Sequence, residues 1–218
     1  MEEKPSILKI IGGVVLTFIF LFLVYKLLNV GSEKTYSEIN IIKPNDHVKW
    51  SSAKKNILVE YSDFQCPACQ NMHVLLNSFE SSDSANFNIT KNITLVFRHF
   101  PLYQIHADAF DSAYAAEAAG QQNKFFEMAD LLYGKQSEWA GKQNAKLMFV
   151  TYAQKLQLDV EKFKADINSQ KVKDKVQQDL SEGEKAGISA TPAFFLNGKK
   201  LEFQTIEEFI KTLQNTSN

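Results

Sequence analysis

Between residues 10 and 28 the chain reads IIGGVVLTFIFLFLVYKLL, apolar on every side with a single charge near its end. A bilayer core needs about 20 residues of helix, and Lys26 can snorkel from the end of such a span. The pattern predicts a transmembrane anchor over residues 10–28. A cleaved signal peptide has a shorter apolar region of about 7–15 residues, closed by a small-x-small site, and LLNVGSEK offers a poor one. A buried core helix is the other alternative, and an apolar surface all round disfavours it. Lys4 and Lys9 before the span balance Lys26 and Lys34 after it, so charge alone does not orient it. Residues 29–45, polar with scattered apolar positions and ended by Pro44, read as a tether.

Beyond the tether the periods alternate. NILVEYSDF, residues 56–64, carries three successive apolar residues and β-rich composition, as expected for a strand covered on both faces. A helix is expected from Pro67 to about Phe79, with Met72, Leu75, Leu76 and Phe79 on one side. NITLVFRHF, 92–100, is a second strand. From Tyr103 to about Lys185 the pattern is helical: Ala109, Ala113, Ala116 and Ala119 recur at turn spacing, and the Lys/Glu mixture after Val160 reads as a solvated face. TPAFFLNGKKLEF, from Thr191, is a strand, an Asn-Gly turn and a second strand, a strong hairpin signal. A final helix opens on Thr205, with Glu208 placed for a capping box. The result is an α/β domain: strand, helix, strand, helical block, hairpin, helix.

Composition narrows the class. Of 218 residues 44% are hydrophobic and 22% charged, which excludes a disordered chain, and a net charge of -1 gives no electrostatic basis for nucleic-acid binding. Asn-x-Ser/Thr triplets at Asn88, Asn92 and Asn215 are common by chance and carry little weight.

The chemistry rests on two cysteines, Cys66 and Cys69, the only ones in the chain. A loop this short constrains too little chain to act as a staple. Pro67 suits the first helical position, which makes Cys66 the N-cap. Its sulfur then faces unpaired N–H groups and the positive end of the helix dipole. Both favour thiolate, so Cys66 is expected to be acidic. Cys69, one turn in, is expected to be more shielded. An attacking thiol and a resolving thiol follow. The competing reading is zinc on Cys66, Cys69 and His73, completed by His99 or His106; the six residues between those histidines do not fit the usual finger spacing. A c-type haem site needs His where Gln70 stands.

Three segments, VEYSDFQCPAC, FRHFPLYQIHADA and GISATPAFFLNGKKL, occur in an order that resembles the DsbA-like thiol:disulfide oxidoreductases over residues 46–215. The resemblance implies a thioredoxin-like fold with a helical insertion at about 103–185. It implies Cys66 as nucleophile, Cys69 as resolving cysteine, and a cis-proline loop at Thr191-Pro192 that pairs with substrate beside Pro67 and Ala68. Glu60 matches a buried acid beneath the cysteines; on a doubly covered strand its pKa is expected to rise, letting it relay the proton of Cys69. Asp63 reads as a turn or capping residue, Arg98 as the partner of a carboxylate, and His99 and His106 as structural hydrogen-bonding residues. Strongly oxidising relatives carry His where this chain has Ala68, so a less acidic Cys66 and a less oxidising pair are expected. The expected function is a disulfide-introducing oxidase; a reductase or isomerase, or a non-catalytic peptide-binding chaperone, are the alternatives. No metal or cofactor beyond the Cys66–Cys69 disulfide is expected. The implied partners are exported thiol-containing proteins and a quinone-linked membrane reoxidase. Disulfides persist outside the cytoplasm. That places residues 1–9 inside and the domain outside, on a single-pass membrane protein.

Overall fold

A computed structural model describes residues 7–28 and 35–217. The chain divides into two compact units, residues 1–34 and 35–218. The first holds helix α1, Ile7–Leu28, whose placed side chains from Ile11 to Leu23 are all exposed. Among the described residues no helix is long and apolar enough to cross a membrane. Residues 1–6 and 29–34, on which parts of the expected N-terminus and tether fall, lie outside the described residues.

The second unit is built on strands β1 (His47–Trp50), β2 (Asn56–Ser62), β3 (Ile93–His99), β4 (Ala193–Leu196) and β5 (Lys199–Lys200). They form one sheet in the order β1-β3-β2-β4-β5, with β2 and β3 parallel and the other neighbours antiparallel. Strand β2 is the expected strand, ending at Ser62 rather than Phe64, and Ile57 through Ser62 are all buried. Its alternation splits the core. Ile57, Val59 and Tyr61 face a layer with Val96, Phe195, Leu180 and Ile188, while Leu58 joins Met72, Leu76, Phe79, Leu95, Phe194 and Phe209 on the opposite side.

Helix α2 (Pro67–Ser78) follows β2 as expected, and α3 (Phe87–Asn92) precedes β3. The helical block resolves into α4 (Ala109–Gly120), α5 (Phe125–Gly134), α6 (Gln136–Trp139), α7 (Ala145–Lys155), α8 (Val160–Asp166) and α9 (Gln170–Lys185). Small residues along α4 let it sit deep: Ala115, Ala116, Ala118 and Ala119 are fully buried beside Phe125, Leu132 and Phe149. The hairpin turn is as the Asn-Gly pair requires, with φ of 51° at Asn197 and 77° at Gly198. Helix α10 (Ile206–Ser217) closes the domain. The Thr205 hydroxyl accepts from the Glu208 N–H, and Glu208 reaches back to the N–H of Gln204, one residue earlier than a capping box places it.

The described end of the expected tether, residues 35–45, lies on the domain instead. Thr35 bridges to Lys199, the Tyr36 N–H donates to the Gly198 carbonyl, and Ile39 is buried. Arg98 explains why. Its guanidinium is fully buried, pairs with Asp46 Oδ2 at 2.8 Å, and donates to the carbonyls of Ile39 (3.0 Å) and Ile41 (2.7 Å). One cation thus fixes a stretch whose polarity alone suggested a linker.

Candidate active site

The turn after β2 builds the site. Asp63 accepts from the Gln65 N–H with one carboxylate oxygen, and from the Leu102 N–H and His106 Nδ1 with the other, each at 2.8 Å. Its carbonyl accepts from the Cys66 N–H, and Gln136 of α6 donates to the carbonyls of Phe64 and Cys66. Asp63 is therefore the turn residue expected. Gln136, which the sequence did not mark, is the strut from the helical block.

Cys66 is the N-cap of α2, with Pro67 at the first helical position. It is 6% exposed, so the sulfur lies in a shallow recess rather than standing free; Cys69 is 0% exposed. Both are free thiols. As a thiol Cys66 makes no side-chain capping bond and lies 3.5 Å from the Thr191 carbonyl. As a thiolate it gains more. The Cys69 thiol donates to it, burial opposes, and the N–H groups of Cys69 and Ala68 and the hydroxyl of Thr191 add to the gain. The balance lowers Cys66 to about 5. Those two N–H groups are the second and third of the helix, the ones an N-cap side chain serves. Burial pushes Cys69 well up, and the neighbouring Cys66 sulfur adds to it. The expected inequality of the two thiols is present in the geometry.

The Thr191–Pro192 peptide is cis, the geometry the resemblance implies, and it faces Cys66 through the Thr191 carbonyl. Thr191 and Pro192 are half-buried, while Pro67 and Ala68 are exposed beside Cys66. Together they form a rim around one recessed sulfur. Ala68 supplies only its backbone N–H.

Glu60 is buried on β2 between Phe97 of β3 and Phe194 of β4, its direct neighbours in the sheet. Burial raises its carboxyl, offset in part by the Ser62 hydroxyl, His73 and Lys49. Its Oε1 has no hydrogen-bond partner among the described residues. Two more residues escaped the sequence reading. Ser62 shares the face of Glu60 by strand alternation, and its hydroxyl lies 2.8 Å from that of Tyr133, both buried. Strand period could have marked Ser62. Nothing local marks Tyr133, which arrives from α5.

The histidines are engaged elsewhere: His73 with Asp130, His99 with Glu117 and His106 with Asp63, each at 2.8 Å. Among the described residues no three His, Cys, Asp or Glu side chains are arranged to hold one metal ion.

Comparison with known proteins agrees with this architecture. Alpha-DsbA1 of Wolbachia pipientis superposes with a TM-score of 0.68 at 21% identity, covering 84% of this chain and 96% of that one. Oxidised BdbD from Bacillus subtilis gives 0.67 at 18% identity, covering 79% and 93%. Among curated relatives, Na(+)/H(+) antiporter NhaA 1 of Mycolicibacterium vanbaalenii is 32% identical over 205 residues, 90% of this chain but 31% of the relative. The antiporter NhaA 1 of Salinispora arenicola is 34% identical over 155 residues, 71% of this chain and 22% of the relative. The chain thus spans about a third or less of the length of these relatives. The family model described as thioredoxin matches residues 43–215, which hold the sheet, the cysteine pair and the cis-proline loop, and the chain belongs to that family.

Proposed function

We propose that this protein is a thiol:disulfide oxidoreductase working as an oxidase, introducing disulfides into exported proteins through Cys66 and Cys69. The observation that carries the reading is the inequality of the two sulfurs: a recessed Cys66 at a helix N-terminus, lowered to about 5, beside a buried Cys69 raised well above the ordinary thiol. The names of the solved structures with the same fold, which include a thiol-disulfide oxidoreductase from Corynebacterium diphtheriae, support it.

In the oxidised protein a substrate thiolate attacks Cys66 Sγ. The new S–S bond forms as the Cys66–Cys69 bond breaks, and Cys69 leaves and takes up a proton. A second substrate thiolate then attacks the substrate sulfur. The substrate disulfide forms and Cys66 leaves as a stabilised thiolate. Two electrons pass from substrate to protein, and the rim of Pro67, Ala68, Thr191 and Pro192 holds the substrate backbone during exchange. Glu60 supplies the proton Cys69 needs.

The acidity of Cys66 sets the direction. A thiolate at about 5 lies roughly 1.5 units above the ~3.5 of DsbA. A less stabilised leaving thiolate makes a less oxidising pair, so the potential should lie below DsbA's ~-120 mV. Equilibration against glutathione is expected to give a value more negative than ~-120 mV and well above ~-270 mV. A value near the ~-270 mV of thioredoxin instead favours a reductase.

Anchoring and topology belong to the same proposal. The row of apolar side chains from Ile11 to Leu23 is exposed in α1, and apolar surface of this extent is stable in lipid, not water. The anchor then holds residues 1–9 in the cytoplasm and the domain outside, near a quinone-linked membrane reoxidase. The full-length chain should stay with the membrane fraction on alkaline extraction; its release to the supernatant contradicts the anchor.

A further inference from the structure

The redox reading leaves Cys69 with a chemical problem. When Cys69 leaves the disulfide it is a thiolate in a site with no exposure, where burial penalises the charge until a proton reaches it. Resting on that reading, we propose that Ser62 carries the proton between Cys69 and Glu60, and that Tyr133 is the positioning residue that holds the Ser62 hydroxyl in place for the transfer.

The placement argues for it. Glu60 and Ser62 are two residues apart on β2 and so share a face, about 6.6 Å apart along the strand. Cys69 lies on the buried side of α2. The Ser62 hydroxyl lies on the side of both ends and lowers the Cys69 thiol and the Glu60 carboxyl alike, while its hydrogen bond in the resting structure is to Tyr133. Tyr133 closes the cluster from α5, its OH 2.8 Å from Ser62 Oγ. Tyr133 is itself fixed by a tilted ring contact with Phe64 and by Gln70, which donates to its carbonyl. With Tyr133 as donor, the single proton of Ser62 is free to point at the Cys69 thiolate while its remaining lone pair faces the protonated Glu60, and the hydroxyl turns the other way for the reverse step. Every member is nearly closed to solvent: Ser62 1%, Tyr133 1%, Glu60 3%.

The transfer balances. As the Cys66–Cys69 bond breaks, the Cys69 thiolate takes the Ser62 proton and Ser62 takes the proton of Glu60. In the reverse step, when Cys69 attacks a mixed disulfide on Cys66, the same two protons move back and the thiolate of the departing group is released. The other groups facing the cluster do not sit between its ends. His73 from α2 and Lys49 from β1 act on Glu60, while Asp63 and Cys66 act on Cys69.

The test uses the reduced full chain and 5,5′-dithiobis(2-nitrobenzoate). Cys66 releases one coloured thiolate on attack, and Cys69 releases a second when it resolves the mixed disulfide. In Ser62→Ala the first phase should keep its rate and the second should slow by about a hundredfold, the low side of what a positioned proton carrier contributes. That second phase should also become steeply pH-dependent, rising about tenfold per unit, because Cys69 then loses its proton to hydroxide. Tyr133→Phe removes one hydroxyl without a cavity and should slow the same phase several-fold, keeping the test intact if Ser62→Ala folds poorly. A second phase at the wild-type rate and pH profile in the variants overturns the relay, as does equal slowing of both phases. Absence of a second phase in the wild type overturns the redox reading itself.

Discussion

Cys69→Ser is expected to accumulate mixed disulfides with thiol-containing proteins through Cys66, seen as high-mass species on non-reducing gels that collapse on reduction. Cys66→Ser should give none. The physical basis is the geometry of resolution. An intramolecular attack from Cys69 competes with external thiols at an effective concentration that reaches about 10⁵ M in well-oriented systems. Even a thousandth of that outruns millimolar thiols, so removing it should lengthen the life of the adduct by on the order of a hundredfold or more. Serine is the right probe for a second reason. The largest stabilisation of the Cys66 thiolate is the hydrogen bond from Cys69, and a serine hydroxyl can still donate it. In Cys69→Ala that donor is gone, so Cys66 should be less acidic and trap more slowly. Equal traces from the serine variants at both positions would remove the distinction between attacking and resolving sulfur.

The second large effect concerns stability. Arg98→Met should cost about 3–5 kcal/mol, because it leaves the Asp46 carboxylate buried without its main partner. Both side chains are 0% exposed, and Lys175 approaches Asp46 only at 3.3 Å. The carbonyls of Ile39 and Ile41 lose their donor at the same time. A loss of that size is a large part of the ~5–15 kcal/mol of a typical domain. The urea midpoint should fall accordingly, with partial recovery in Arg98→Met combined with Asp46→Leu. The pH dependence follows in sign. In the wild type burial raises the Asp46 carboxyl, but Arg98 and then Lys175 overcome it and hold it below the ordinary value. The contribution is therefore fully present above the unfolded pKa of ~3.9 and is lost as pH falls through the lowered folded one. In the variant the carboxyl is raised, so the folded state takes up the proton first and the penalty relaxes on acidification. The gap between the two proteins should narrow toward low pH. A gap independent of pH would mean that Arg98 acts through packing alone.

These two predictions mark what the sequence could and could not show. Cys66 at a helix cap followed from Pro67 and a preceding apolar strand, all within ten residues, and the structure places it there. The Asn197–Gly198 turn was equally local, since only a left-handed pair fits between those strands. Arg98 was read as the partner of a carboxylate, but which one was hidden: Asp46 lies 52 residues away, just past the stretch whose polarity suggested a tether. Strand β1 escaped because four residues with one lysine make too short a pattern, and it exists through pairing with β3. Glu60 was marked by its resemblance. Its partner Ser62 could have been marked by alternation, while Tyr133 meets Ser62 from 71 residues on. Local chemistry was legible, then, wherever a dihedral preference or a strand period fixed it. Contacts made by the tertiary fold were not.

The central claim is that Cys66 and Cys69 carry oxidising equivalents to a dithiol. It is tested most directly by mixing the oxidised protein with one equivalent of a reduced dithiol peptide under anaerobic conditions and counting both disulfides. The account predicts that the peptide disulfide appears in step with loss of the Cys66–Cys69 disulfide, one for one, with the mixed disulfide passing through Cys66. A peptide that stays reduced while Cys66 and Cys69 stay oxidised would contradict it.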